Sequence, residues 1–194
     1  MAQISRQEFQ RLPLRVHSFL AGVPLHDVWA VDLPRIRPGI TLDEFLRAGG
    51  MRPYTPSAVV RGLLTLRFFV GRLFGWDREP AGSEWESFAT RLTIADRSKS
   101  LASAGTCEGP FQVVYRFENE QLLELINRTA HAAALSALVE TASSYRFYFG
   151  VYVSNVGRTT AIYMALIDPF RKLLVYPSLL RSVYAKWQRV FGTA

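Results

Sequence analysis

The sequence predicts an α+β domain in which an antiparallel sheet packs against one long C-terminal helix. Three observations carry that expectation. Most of residues 85–154 alternate apolar and polar side chains with the period of strands. Residues 163–191 instead repeat their apolar side chains at helical spacing. Ahead of both, residues 28–76 read as one strand followed by two capped helices.

In chain order, VWAVDL at residues 28–33 is the first strand, ended by Pro34. Thr41, with Glu44 three residues on, makes a capping-box pattern for LDEFLRA, and Gly49 and Gly50 stop that helix. Thr55 caps a second helix with Pro56 at its first position, and SAVVRGLLTLRFFVGRLFGW, residues 57–76, continues it. DREPAGSE, residues 77–84, is a loop by composition. SFATRLTIA (87–95) and FQVVYRFE (111–118) alternate, QLLELI (121–126) follows a polar turn, and NRT (127–129) reverses the chain. In AHAAALSALVE, residues 130–140, alanine favours helix while the neighbouring segments favour strand, and strand is the reading adopted. YRFYFGVYVS, residues 145–154, is the clearest strand. It sets Tyr145, Phe147, Phe149, Val151 and Val153 on one face and Arg146, Tyr148, Gly150, Tyr152 and Ser154 on the other. Aromatic side chains on both faces imply that both are covered.

The closing stretch YMALIDPFRKLLVYPSLLRSVYAKW combines an apolar run with two prolines and several basic residues. A membrane span needs about 20 mostly apolar residues, and Asp168, Arg171 and Lys172 interrupt this one as Arg61, Arg67 and Arg72 interrupt residues 57–76. Neither reads as an isolated span. On a helical wheel Leu173, Tyr176, Leu180, Val183, Tyr184, Trp187, Val190 and Phe191 gather on one side, with Arg171, Lys172, Lys186 and Arg189 on another. Pro169 and Pro177 each remove a backbone donor. The segment is therefore expected as two or three helical pieces curving around something broad, such as a bent sheet.

With 49% hydrophobic and 20% charged residues, the 194-residue chain suits one domain spanning residues 1–194, with 1–25 as an N-terminal extension. Cys107 is the only cysteine, which excludes an internal disulfide or a cysteine zinc cluster. Together with an N-terminus that lacks a signal-peptide apolar block, it points to a cytoplasmic setting, with peripheral membrane association as the variant. The net charge of +7 is placed unevenly: residues 81–140 hold 5 basic and 8 acidic side chains, whereas 141–194 hold 7 and 1. A basic surface of this kind is either a solvated face or an attractor of anionic partners. No nucleic-acid partner is expected, because no recognition module accompanies the charge.

The element order, with YRFYFGVYV followed by YMALIDPFRKLLVYPSLLR, resembles the START-like and polyketide-cyclase-like helix-grip superfamily, and within it an uncharacterised bacterial family of unknown function. The resemblance is best over residues 110–190. It implies a curved antiparallel sheet wrapped around a long C-terminal helix, with an apolar cavity between them, and it carries over no active-site residue.

For such a cavity, Ala132, Ala133, Ala134 and Ala137 would leave space opposite Tyr163, Met164, Ile167 and Phe170, to be filled by a ligand or by close packing. His131 is either an acid–base group in the pocket or a histidine bonded at a strand end. Arg128 either holds a carboxylate or phosphate or is a solvated turn residue. Asp168 either faces the cavity as a general base or caps the helical piece that Pro169 begins. Tyr145, Tyr148, Tyr152 and Tyr163 are packing residues whose hydroxyls can reach a ligand, and Trp29 and His26 belong near the pocket mouth. The histidines His17, His26 and His131 have no metal-ligand spacing, and no phosphate loop or nucleophile elbow is present, so neither metal nor cofactor is expected.

Three functions follow. The first is a module that binds a small apolar or amphipathic molecule between sheet and helix. The second is a cyclase- or dehydratase-like enzyme on the same fold, with His131 or Asp168 moving protons. The third is a peripheral protein that meets anionic lipid through Arg61, Arg67, Arg72 and the basic C-terminal stripe. Phe68, Phe69, Leu73, Phe74 and Trp76, spread around the second helix, favour a homodimer contact or a lid.

Overall fold

The computed structural model describes residues 2–51, 86–127, 130–154 and 168–192. The strands are β1 (Ala2–Gln3), β2 (Leu25–Pro34), β3 (Cys107–Glu108), β4 (Phe111–Arg116), β5 (Glu120–Asn127), β6 (Ala130–Glu140) and β7 (Ser144–Ser154). They form one antiparallel sheet in the order β1-β2-β7-β6-β5-β4-β3. The helices are α1 (Arg6–Gln10), α2 (Val16–Phe19), α3 (Leu42–Arg47), α4 (Ile94–Lys99) and α5 (Tyr176–Phe191). The fold is α+β. Both edge strands are only two residues long, which limits the unpaired backbone offered to other chains.

Alternation along β7 creates two cores. Tyr148 and Tyr152 point to one face, where Phe9, Val16, Phe19 and Leu20 of the N-terminal segment and Phe88 and Leu92 cover them. Tyr145 and Phe147 point to the other, where Leu42 and Phe45 of α3 and Leu180, Val183 and Trp187 of α5 cover them. Residues 2–25, the N-terminal extension of the domain, pack onto the sheet. Phe9 and Val16 are fully buried and β1 pairs with β2, so this segment supplies one core with its lid.

The strands expected at 111–118, 121–126, 130–140 and 145–154 are present, and so is the helix after Thr41. Thr41 Oγ1 accepts from the Glu44 amide, but the Glu44 carboxylate pairs with Arg37, so only half of the capping box forms. Gly49 ends the helix at φ 80°, and the Gly50 amide donates back to the Phe45 carbonyl. Residues 87–95 are not a strand. Phe88–Arg91 form a 3₁₀ turn, and Thr93 with Asp96 forms a complete capping box for α4. The helix expected at 57–76 lies outside the described residues.

Across the described residues 168–191 the C-terminal helix is one winding with a defect at its π turn, so Pro177 does not divide it into separate pieces. Residues 168–170 are helical, Arg171–Val175 form a π-helical turn, and α5 follows. Pro177 supplies no N–H and its ring would crowd the Leu173 carbonyl. The π turn spaces the backbone to absorb that defect without a break. Leu173, expected on the buried side, is 74% exposed because the wider turn shifts its phase relative to Tyr176, Leu180, Val183 and Trp187. Among the described residues no helix is long and apolar enough to cross a membrane.

Trp187 anchors α5 to the sheet. It is fully buried, its rings meet Phe45, Tyr145 and Phe191 at 5.4, 5.3 and 4.7 Å, and its indole N–H donates to the Pro34 carbonyl at 3.0 Å. Trp187→Ala is expected to destabilise the fold by about 3–5 kcal/mol in urea unfolding, while Leu173→Ala changes it by less than about 0.5 kcal/mol.

Candidate functional site

A polar cluster forms where the start of β2 meets residues 168–176 of the C-terminal helix. The register of β2 against β7 shifts between Leu25, opposite Tyr152, and Asp27, opposite Val151. His26 is the extra residue of this β-bulge, and the bulge re-aims its side chain. His26 Nε2 lies 2.8 Å from Asp168 Oδ1 and 3.9 Å from Asp27 Oδ2. From the π turn, Arg171 reaches both carboxylates, at 3.6 Å to Asp27 and 3.3 Å to Asp168, while Lys172 Nζ bonds Asp168 at 3.0 Å. Arg171 also donates to the Tyr176 hydroxyl and lies over its ring. Trp29 and Phe149 pack against the same tyrosine, with ring centroids at 5.6 and 5.7 Å. The result is a small group of charges walled by aromatic rings.

The two carboxylates differ in environment. Burial pushes the Asp27 carboxyl above its ordinary range, against the pull of Arg171 and His26. Asp168 is pulled below its ordinary range, because hydrogen bonds from His26 and Lys172 overcome its partial burial. Neither Asp27 oxygen has a hydrogen-bond partner of ordinary geometry, and the buried indole N–H of Trp29, two residues along β2, has none either. The Asp27 carboxyl, approached by Tyr176, Arg171 and His26 but held by no bond of ordinary geometry, and the Trp29 indole N–H thus stand out in a setting where buried polar groups are nearly always paired.

Donor atoms of His26, Asp27 and Asp168 lie within 4.8 Å of one another, a spacing that a divalent cation would accept. The spacing of histidines along the chain showed nothing of this, because 142 residues separate His26 from Asp168. Arg171 and Lys172 already bring two positive charges to the two carboxylates, so the cluster is compensated without an ion.

The other candidates fall elsewhere. His131 does not join Asp168. It is buried on the opposite face of the sheet, 3.3 Å from Glu124 and stacked on Phe88 at 3.9 Å. Tyr145 holds the α3 entry, its hydroxyl accepting from the Ile40 amide and donating to the Arg37 carbonyl. Tyr152 lies on the N-terminal face beside His17, Leu20 and Leu25, at a concavity of ≈ 330 Å3. The four alanines do not share a face: Ala133 and Ala137 pair with Tyr152 and Tyr148, Ala132 and Ala134 with Val153 and Val151. Of the candidates, His26 and Asp168 meet directly, and Trp29 joins them through Tyr176 and Arg171. Arg128 and Tyr163 lie outside the described residues.

Two buried glutamates escaped the sequence reading. Glu120 and Glu124 point from β5 into the N-terminal core. Glu120 accepts from the amides of Arg15 and Val16 and from the Tyr115 hydroxyl, which fastens α2, although its burial still pushes its pKa up. Glu124 accepts from Ser87, the Phe88 amide and His131, and these bonds outweigh burial and hold its pKa down. The available signal was a carboxylate at alternate positions of an otherwise apolar strand face.

Asp27 and Glu124 should act on stability with opposite sign. A carboxyl whose folded pKa is raised loses stability as pH rises above its unfolded value, so Asp27→Asn should be more stable than wild type at pH 7 by about 0.5–2 kcal/mol, read as a higher unfolding temperature. That difference should vanish towards pH 4. Glu124 contributes stability above its unfolded pKa and loses it as pH falls through its depressed folded value. Glu124→Gln should therefore cost about 1–3 kcal/mol at pH 7 and progressively less in acid, as followed by thermal unfolding.

No curated protein and no solved structure is significantly similar to this sequence. One family model matches residues 19–178, a span that takes in the bulged strand, every strand after it and the π turn. The chain belongs to the family described as protein of unknown function (DUF2867).

Proposed function

We propose that this protein binds a small amphipathic molecule on the helix-facing side of its sheet, with the molecule's polar end at the cluster of Asp27, Trp29 and Tyr176. The observation that carries this reading is the pair of buried groups without hydrogen-bond partners of ordinary geometry, the Asp27 carboxyl and the Trp29 indole N–H, on one face of one strand. A ligand hydroxyl or amide would satisfy both, since it donates and accepts. Aromatic walls from Trp29, Phe149 and Tyr176 suit an apolar remainder. An antiparallel sheet with a long C-terminal helix across one face is also what a START-like, helix-grip protein would present, and ligands in such proteins are expected between sheet and helix.

A second reading is proton transfer at the same place. A carboxyl pushed up and a carboxylate pulled down, bridged by one histidine, is the arrangement from which acid and base roles are divided. Asp27 would then hold the proton, while Asp168 orients His26. His131 has no part in it.

Native mass spectrometry of gently purified protein, with solvent extraction of whatever is released, tests the binding reading. Wild type should carry a molecule at defined stoichiometry, and Asp27→Asn and Trp29→Phe should each lower its occupancy by about tenfold, the scale of one lost buried hydrogen bond. A clean protein mass, with no thermal shift on adding fatty acids or fatty alcohols, would remove this reading. Chemical change of the extracted molecule on incubation with wild type, absent with Asp27→Asn, would select the second.

A further inference from the structure

Residues 168–192 of the C-terminal helix carry a surface that the proposed ligand site does not use. Phe170 and Leu173 are 46% and 74% exposed, and Tyr184 further along the same helix is 41% exposed. Large apolar side chains exposed singly are ordinary, but these lie along one helical segment among basic residues. Between residues 168 and 192 the chain has Arg171, Lys172, Arg181, Lys186 and Arg189, and Asp168 is the single acidic residue. Arg181 and Arg189 are exposed, on the solvent side of a helix whose opposite side is held by Tyr176, Leu180, Val183 and Trp187.

We infer that this face of the C-terminal helix docks on an anionic phospholipid surface, with Phe170 and Leu173 entering the interface and Arg181 and Arg189 pairing with lipid phosphates. The charge selects the partner. A second copy of the chain would bring the same positive face against itself, whereas an anionic bilayer complements it and accepts apolar side chains between its headgroups. The π turn contributes directly: it rotates Leu173 out of the phase that buries Tyr176 and Leu180, so an apolar side chain is presented outward. Helices of this kind lie in the plane of the interface without spanning the bilayer.

Vesicle co-sedimentation tests the inference with the full chain. Binding is expected to phosphatidylcholine vesicles that contain about 30 mol% phosphatidylglycerol and to be at least about tenfold weaker to phosphatidylcholine alone. It should fall by a similar factor at about 0.5 M salt, where the Debye length shrinks to a few ångströms. Phe170→Ser with Leu173→Ser should weaken binding about tenfold or more without changing the circular dichroism spectrum, because both side chains are outside the cores. Failure of wild type to sediment with the anionic vesicles overturns the inference, as does binding that the double substitution leaves unchanged. Light scattering that shows a wild-type dimer and a double-variant monomer overturns it too, because a second copy then covers the patch. Native mass spectra of the double variant keep this test separate from the ligand site, whose residues it does not touch.

Discussion

Burial of β7 on both faces is the constraint from which the rest of the molecule follows. A strand with Tyr145 and Phe147 on one side and Tyr148 and Tyr152 on the other cannot rest against a single layer. The chain meets this by placing its N-terminal helices and the Phe88 turn over one face, and α3 with α5 over the other. The two lids are fastened differently. On the N-terminal face two buried glutamates of β5 grip backbone amides, Glu120 at α2 and Glu124 at Phe88. On the helical face the fastening is aromatic, through Trp187 against Phe45, Tyr145 and Phe191. Polar straps fix position at the expense of dehydrated charge, whereas aromatic packing supplies most of its stabilisation through buried area.

Two local irregularities make the polar cluster. Without the bulge at His26, Leu25 and Asp27 would share one face of β2, and an ionisable group would enter the N-terminal core beside Tyr152. The bulge lets His26 join Asp27, which alternates in phase with Trp29 and Val31, on the helical side. Without the π turn, Arg171 and Lys172 would take a different phase relative to the helix that follows. Irregular backbone thus brings residues from the two ends of the chain together, and regular elements on each side hold them there.

Much of the fold was legible in the sequence, because β5, β6 and β7 alternate cleanly and their burial follows the alternation. Even the alanine-rich β6 yields to that logic, since its neighbours leave no place for a helix between them. Residues 87–95 misled because a few alternating side chains imitate a strand. The Thr93–Asp96 cap and the short polar stretch after it were the better guide. The parity of the alanines was also available, since Ala132 and Ala134 cannot share a face with Ala133 and Ala137 in any strand. The site was legible only in parts. Trp29, His26 and Asp168 could each be singled out, but their meeting depends on a bulge and a helix defect that no residue spacing announces. His131 attracted attention as a polar residue among alanines, and its partner Glu124 lay on the neighbouring strand opposite Ala133, two pairs along and on the same face.

The pairing of β2 with β7 carries a consequence for how the chain reaches this structure. Val28 lies opposite Gly150 and Val31 opposite Phe147, so β2, with only the two-residue β1 beside it, meets this long partner after every described strand between them in the chain exists. The hairpins of β4 with β5, β5 with β6 and β6 with β7 are local and can assemble in succession. Closing the sheet on β2 then has to recruit a distant segment against a large loss of chain entropy. Until that happens β7 is an edge, long and rich in aromatic side chains, and the nascent protein is at its most adhesive when its sheet is one strand short.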